Sequence, residues 1–329
     1  MIVQAIAQFG DPSVFQTMDL PRPEIIPGHV LIRVAASSVN PVDCKLRKGA
    51  MPNIAPAFPA VLHSDVAGVI EEVGEGVNAF KPGDEVYACA GGFKGMGGAL
   101  AEFLLADADL VALKPKTLTM KQAAALPLVA ITAWNSLISR AKIQAGQTVL
   151  VHAATGGVGH IGIQLAKWAG AKVYTTASCQ RKIAIARDLG ADVAIDYHQQ
   201  SVDDYVAAYT DAKGFDVVFD TVGKDNLDKS FTAAKINGTV VSISTRSTHD
   251  LSPLHLKGLS LHVVFMLIPL LHGQGRAQHG NILFNIAKLV DQGKIRPLLD
   301  PKSFSFSEVA AAHEYAESGQ AVGKIVLEL

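Results

Sequence analysis

The stretch from Thr148 to Gly162 constrains this chain more than any other. Val149-Leu150-Val151 is a short apolar run of the kind that forms a buried strand, and it passes through Gly156-Gly157-Val158-Gly159 into Ile161, Leu165, Ala166 and Trp168 at helical spacing. Strand, tight turn and helix follow one another without a gap. Gly157, Gly159 and Gly162 satisfy G-x-G-x-x-G, in which one glycine serves the turn, one lets the backbone approach a pyrophosphate, and one lets the helix pack close to the strand. The helix start then offers unpaired N–H groups and a positive dipole end to phosphates. Gly170 stands where the helix should end.

The residues after this helix bear on which dinucleotide binds. Lys172 to Thr176 forms the next expected strand, and an NAD site would place an Asp or Glu near its end to hold the ribose hydroxyls. Here the chain runs Ala177-Ser178-Cys179-Gln180-Arg181-Lys182 instead. A hydroxyl and two cations suit a 2′-phosphate, which a carboxylate would repel, so NADPH is the expected cofactor. The competing reading makes Arg181 and Lys182 the solvated first turn of a helix from Arg181 to Leu189.

With 329 residues the chain has room for two domains, and a net charge of −1 gives no basic field for nucleic acid. Met1 to Ile6 lacks a basic n-region, and the longest apolar run, Val263 to Leu271, contains Pro269 and falls short of the roughly 20 residues that span a bilayer. A soluble cytoplasmic protein without membrane contact is expected. Cys44, Cys89 and Cys179 lie far apart with no C-x-x-C, which argues against a disulfide scaffold or a cysteine-based zinc site. The pairs His255/His262 and His272/His279 are spaced by seven, so surface or packed histidines are expected rather than metal ligands.

Residues 1 to about 120 carry strand texture: His29 to Val34 alternates, Val66 to Val73 is β-like, Lys81-Pro82-Gly83-Asp84 is a turn, and Ala99 to Ala106 closes the series. Ala123 to Leu137 should be helical. From Val149 onward strands alternate with helices, at Val149–Ala153, Val173–Thr176, Val193–Asp196, Val217–Asp220, Val240–Ser244 and Leu261–Phe265. That alternation means a parallel, doubly wound sheet covered on both faces. A helix from Ile282 to Asp291, a strand around Phe304 and Phe306, a helix capped by Ser307 and a strand from Lys324 to Leu329 end the chain.

Several stretches, in order, resemble the medium-chain dehydrogenase/reductase superfamily, and within it the zinc-independent quinone oxidoreductase (zeta-crystallin-like) branch. They are Val39 to Gly49 (VNPVDCKLRKG), Asp65 to Gly74 (DVAGVIEEVG), Lys81 to Val86 (KPGDEV), Gly98 to Glu102 (GALAE), Leu126 to Leu128 (LPL), Ala154 to Gly159 (ATGGVG) and Gly323 to Leu327 (GKIVL). The resemblance implies an α/β chain made of a GroES-like, partly open β-barrel catalytic domain (1–122 and 294–329) and a doubly wound parallel-sheet Rossmann domain (123–293). It implies NADPH at the carboxyl ends of the strands and a homodimer through the nucleotide domain, with Leu261 to Leu271 able to supply an edge strand.

Zinc members of the superfamily carry a cysteine at the position of Asn40 and a histidine at that of Ser64, so the resemblance implies a metal-free site. Without a Lewis acid, alcohol oxidation is disfavoured, whereas hydride can add to a quinone or an α,β-unsaturated carbonyl whose charge delocalises onto oxygen. Asn40 is the residue implied to face nicotinamide and acceptor. Lys45 stands where some relatives have a substrate-contacting tyrosine, and Thr132 matches a threonine near the nicotinamide, with an intrahelical hydroxyl as the alternative. Thr155, Gly156, Gly157, Val158, Gly159, Ser178, Lys182, Tyr197, Ser244 and Phe265 complete the implied cofactor contacts, Phe265 being equally explained as core or dimer strand. Asp43 and Arg47, at i and i+4, are expected to form a structural ion pair. The expectation is therefore an NADPH-dependent, zinc-free reductase of quinones or enones; a zinc alcohol dehydrogenase and an NADPH-binding protein with little catalysis are the alternatives.

Overall fold

The computed structural model describes residues 1–329. In chain order come strands β1 (Ile2–Ile6), β2 (Phe15–Asp19) and β3 (His29–Ser38), helix α1 (Pro41–Arg47), strands β4 (Ala60–Val61), β5 (Asp65–Val73), β6 (Glu85–Cys89), β7 (Phe103–Asp107) and β8 (Val111–Leu113), and helix α2 (Met120–Ala124). Next are α3 (Pro127–Trp134), β9 (Thr148–Val151), α4 (Gly157–Trp168), β10 (Lys172–Ala177), α5 (Gln180–Asp188), β11 (Val193–Asp196), α6 (Val202–Thr210), β12 (Phe215–Asp220), α7 (Asp225–Ala233), β13 (Ala234–Ser242), α8 (Ser252–Lys257) and β14 (Ser260–Val263). The chain closes with α9 (Ile268–His272), α10 (Arg276–Asp291), β15 (Leu299–Ser305), α11 (Val309–Glu317) and β16 (Lys324–Glu328).

Two compact units result, Met1–Leu128 with Leu267–Leu329, and Val129–Met266. The first is GroES-like: one sheet runs β15-β16-β3-β5-β6-β8 with β7 also on β3, and a small sheet runs β2-β1-β4. Its strands are antiparallel except β15 and β16. The chain returns to this unit at 267, earlier than the 294 expected. The reason is α10, which packs on β8, β6 and the turn Ala108–Leu110; Tyr87 donates to the Leu283 carbonyl at 2.6 Å, and Arg276 pairs with Asp107 at 2.8 Å.

The second unit is a six-stranded parallel sheet in the order β11-β10-β9-β12-β13-β14. Buried Leu150, Tyr174, Tyr205, Phe215, Val218, Phe231 and Val240 form a continuous core cluster in it, which is why these strands read as unbroken apolar runs rather than alternating ones. Three local differences from the sequence expectations have plain causes. The helix expected from 123 to 137 is broken into α2 and α3, with Pro127 opening the second piece, and Asn135–Arg140 continues as a wider π-type turn. The helix expected from 282 begins at Arg276. The cap expected at Ser307 is Ser305, whose hydroxyl and N–H both reach the Glu308 carboxylate at 2.8 Å.

Gly162 fixes how α4 meets the sheet. A Cβ there would stand 3.1 Å from the Phe219 ring and 3.3 Å from Val151, so Gly162→Ala is expected to destabilise by about 1–3 kcal/mol as the helix is pushed off β9 and β12. Urea unfolding of the two proteins measures it; equal midpoints would disprove this packing.

Candidate active site

In the first unit the sequence builds a buried polar cluster beneath α1. Asn40 is the residue before that helix and is 1% exposed. Its Nδ2 donates to the Asp65 carboxylate at 2.8 Å, and its Oδ1 accepts from the Lys324 ammonium at 2.5 Å. Lys324 donates also to the Val39 carbonyl at 3.0 Å and lies 3.4 Å from Asp65 Oδ2. Asp65 takes two further donors, the Ser38 hydroxyl and the Leu128 N–H, both at 2.8 Å. A carboxylate on one side and an ammonium on the other fix which end of the Asn40 amide is which. The amide is polarised by the ammonium at its oxygen and by the carboxylate at its nitrogen.

Asp43 does not form the expected ion pair with Arg47. Standing at the third helical position, its Oδ2 accepts the Asn40 N–H at 2.7 Å, which is what an acid in a first turn is placed to do. Arg47 instead reaches Glu317 at 2.5 Å and the Gly10 carbonyl at 2.9 Å. Asp43 Oδ1 has no partner. Burial, aided by the like charge of Asp65 and opposed by the Asn40 N–H and Lys324, raises the Asp43 carboxyl to about 7.

A second buried chain supports Asp65 from behind. The Ser37 hydroxyl donates its one hydrogen to the Asp65 carbonyl at 2.7 Å, so toward His63 Nδ1, 3.2 Å away, it can only accept. His63 is therefore protonated on Nδ1, and its Nε2 accepts from His313 Nε2 at 3.0 Å. His313 Nδ1 is left as acceptor for the Cys44 thiol at 3.5 Å. Every hydrogen points the same way with both rings neutral. Burial agrees with this, holding His63 well below its usual range, His313 at about 3 and the Cys44 thiol up at about 12. The sequence expectation covered packed histidines only in general terms, and this pair spans 250 positions.

In the second unit α4 opens on Gly156 without a side-chain cap, leaving the first-turn N–H groups of Gly157, Val158 and Gly159 to an anion. Thr155 is buried just before it. A Cβ on Gly159 would fall 2.1 Å from the Ala153 carbonyl, so this glycine closes the turn itself. Ser178 follows β10 and Tyr197 follows β11; the Tyr197 N–H donates to the Ala177 carbonyl at 3.3 Å, which sets these two residues side by side at the strand ends. Lys182 lies in the first turn of α5, and neither it nor Arg181 has an ion-pair partner. These features fit a nicotinamide dinucleotide.

Thr132 is buried on α3, and its carbonyl accepts the Ser136 hydroxyl at 2.8 Å. Lys45 is exposed on α1, and Phe265, just past β14, is 43% exposed. Ser244 packs on Gly223, where a Cβ would meet its carbonyl at 2.2 Å. The turn that carries Gly223 is held by Asp220, which accepts from the N–H groups of Val222 and Gly223, from Asn226 Nδ2 at 2.8 Å and from the Ser242 hydroxyl at 2.9 Å. Sequence reading missed Asp65, Lys324 and Asp220 as site-forming residues. Asp65 opens the quoted DVAGVIEEVG stretch and Lys324 lies in GKIVL, so both stood inside stretches noted for resemblance alone. No three His, Cys, Asp or Glu side chains are grouped to hold a metal ion.

Two family profiles match the chain, an alcohol dehydrogenase GroES-like domain over residues 26–116 and a zinc-binding dehydrogenase over 189–327. The chain belongs to the medium-chain dehydrogenase/reductase superfamily, in its quinone-oxidoreductase-like part. It is 38% identical to an Arabidopsis thaliana chloroplastic NADPH-dependent alkenal/one oxidoreductase, over 93% of this chain and 73% of that one. To human quinone oxidoreductase it is 30% identical, over 98% and 96%. An alcohol dehydrogenase superfamily protein from Novosphingobium aromaticivorans superposes with a TM-score of 0.95 at 41% identity, covering both chains completely. The chain is an oxidoreductase.

Proposed function

We propose that this protein is an NADPH-dependent, zinc-independent reductase of quinones and α,β-unsaturated carbonyls. The observation that carries this reading is the charge beside Asn40: it is the chain's own Lys324 ammonium, bonded to the amide oxygen, at a residue where zinc members of the superfamily have a cysteine. Bound NADPH would supply hydride from C4 of its dihydronicotinamide. In this reading the Asn40 amide is the donor to the acceptor oxygen as charge gathers there, and the ammonium on its Oδ1 strengthens that donor. Thr132 and Phe265 border the nicotinamide in this reading, and Lys45 borders the acceptor. Thr155 to Gly159 and Ser244 line the pyrophosphate and its ribose, while Ser178, Lys182 and Tyr197 meet the 2′-phosphate. A carbonyl acceptor conjugated to its alkene or ring spreads the charge, so hydrogen bonding suffices where an unconjugated substrate would need a metal.

A homodimer and a cytoplasmic location belong to the same reading. β14 pairs on one side only, with β13, and Val263 on it is 52% exposed, an edge that a second copy would cover. No helix is long and apolar enough to cross a membrane.

Paired NADPH and NADH assays over a panel of quinones, enones and alcohols, with metal content measured on the same sample, test the function. Quinone or enone turnover with NADPH in metal-free protein is expected. Lys182→Ala should raise KM for NADPH about 10-fold, the worth of one charge-assisted hydrogen bond, and leave KM for NADH unchanged. Equal use of the two cofactors by the parent protein would overturn the 2′-phosphate assignment, and stoichiometric zinc would overturn the metal-free site.

A further inference from the structure

Outside the reductase site, α7 and the loop after β13 assemble a nucleophile, a base and an orienting acid. Asp228 and Phe231 lie three positions apart on α7 and so share a face. Both hold one imidazole: His249 Nδ1 lies 2.8 Å from Asp228 Oδ1, and its ring meets the fully buried Phe231 edge-on, with centroids 6.3 Å apart at 84°. The His249 side chain is 8% exposed. The Asp228 carboxylate can only accept, so it selects the tautomer with hydrogen on Nδ1 and leaves Nε2 as a lone pair. That lone pair is 2.5 Å from the hydroxyl of exposed Ser247. The Ser247 N–H turns back to the Thr245 carbonyl at 3.0 Å, which fixes the hydroxyl in a tight turn facing solvent.

From this we infer that Ser247 is an activated nucleophile that accepts acyl groups from activated esters, with His249 as general base and Asp228 as its orienting partner. The nucleophile–base–acid order matches the geometry that recurs on unrelated folds. The fitting substrates are those with good leaving groups, such as aryl esters, which ask least of oxyanion stabilisation. Ser247 Oγ bonds to the acyl carbon while its proton passes to His249 Nε2. The C–O bond to the leaving group then breaks, and the imidazolium returns the proton to a leaving alkoxide or to solvent when an aryl oxide departs. Water then adds to the acyl carbon as its proton passes to His249 Nε2, the bond from that carbon to Ser247 Oγ breaks, and the imidazolium returns the proton to Oγ as the acid leaves.

The test uses p-nitrophenyl acetate with the full chain in the absence of NADPH. Expected is a burst of nitrophenolate stoichiometric with protein, with acetyl found by peptide mass analysis on Ser247. Ser247→Ala should abolish the burst, and His249→Gln should slow it by about 10²-fold or more, the usual worth of a general base. Asp228→Asn, which keeps the fold but removes the tautomer selection, should slow it as well. An unchanged burst in Ser247→Ala, or acetyl spread evenly over lysines and serines, would overturn the assignment. Unfolding midpoints of all three variants, expected at the parent value, separate lost chemistry from lost structure.

Discussion

Lys324→Met is expected to destabilise the protein by about 3–5 kcal/mol, read as a lowered urea midpoint, because it leaves the buried Asp65 carboxylate facing an aliphatic chain. Asp65 would keep its bonds from Ser38, Asn40 and Leu128 but lose the only cation near it. The double variant Asp65→Asn/Lys324→Met removes both charges and should recover most of the loss, since a buried pair deleted whole costs far less than one broken in half. Activity should not recover with it. The Asn40 amide in the double variant has no ammonium on its oxygen, and a weakened oxyanion donor costs up to about 10²–10³ in kcat. If Lys324→Met proves as stable as the parent, the pair is not the buried charge pair described here. If the double variant regains full kcat, Lys324 serves the fold alone.

The fold was legible because its two periodicities differ. The apolar runs at Val149, Val217 and Val240 belong to strands covered on both faces, and His29 to Val34 belongs to β3, one face of which is partly open at His29, Arg33 and Ala35. The nucleotide-binding turn was legible for a related reason: its glycines, its strand and its helix are contiguous. The cluster around Asn40 joins residues 25 and 284 positions apart, and the histidine pair spans 250. Nothing in the local pattern of Lys324 or His313 marks a partner so distant. Asp43 and Arg47 show the converse error. Helical spacing made them look like partners, but a first-turn acid is drawn to the N–H groups at the helix start, and Arg47 found Glu317 on α11 instead.

Asp43→Asn is expected to leave stability unchanged near pH 3 and to raise it by about 4 kcal/mol at pH 8, relative to the parent at the same pH. Burial raises the Asp43 carboxyl from 3.8 to about 7 in the folded protein, and each unit is worth about 1.4 kcal/mol. Below about pH 3 the group is protonated whether the chain is folded or not, so it exerts no pull. Between pH 4 and 7 the unfolded chain ionises it freely while the folded chain resists, so parent stability falls as pH rises and the loss is complete above 7. Asparagine carries no such charge, and its Oδ1 can still accept the Asn40 N–H. Urea midpoints of both proteins from pH 3 to 8 measure the divergence; parallel curves would show that Asp43 is not held neutral. The same titration bears on activity, because Asp43 Oδ2 is 2.7 Å from the backbone nitrogen of Asn40. Ionisation places a full negative charge next to the residue that must stabilise a developing oxyanion. The parent kcat for quinone reduction should therefore fall as pH passes 7, and Asp43→Asn should flatten that limb without changing KM for NADPH.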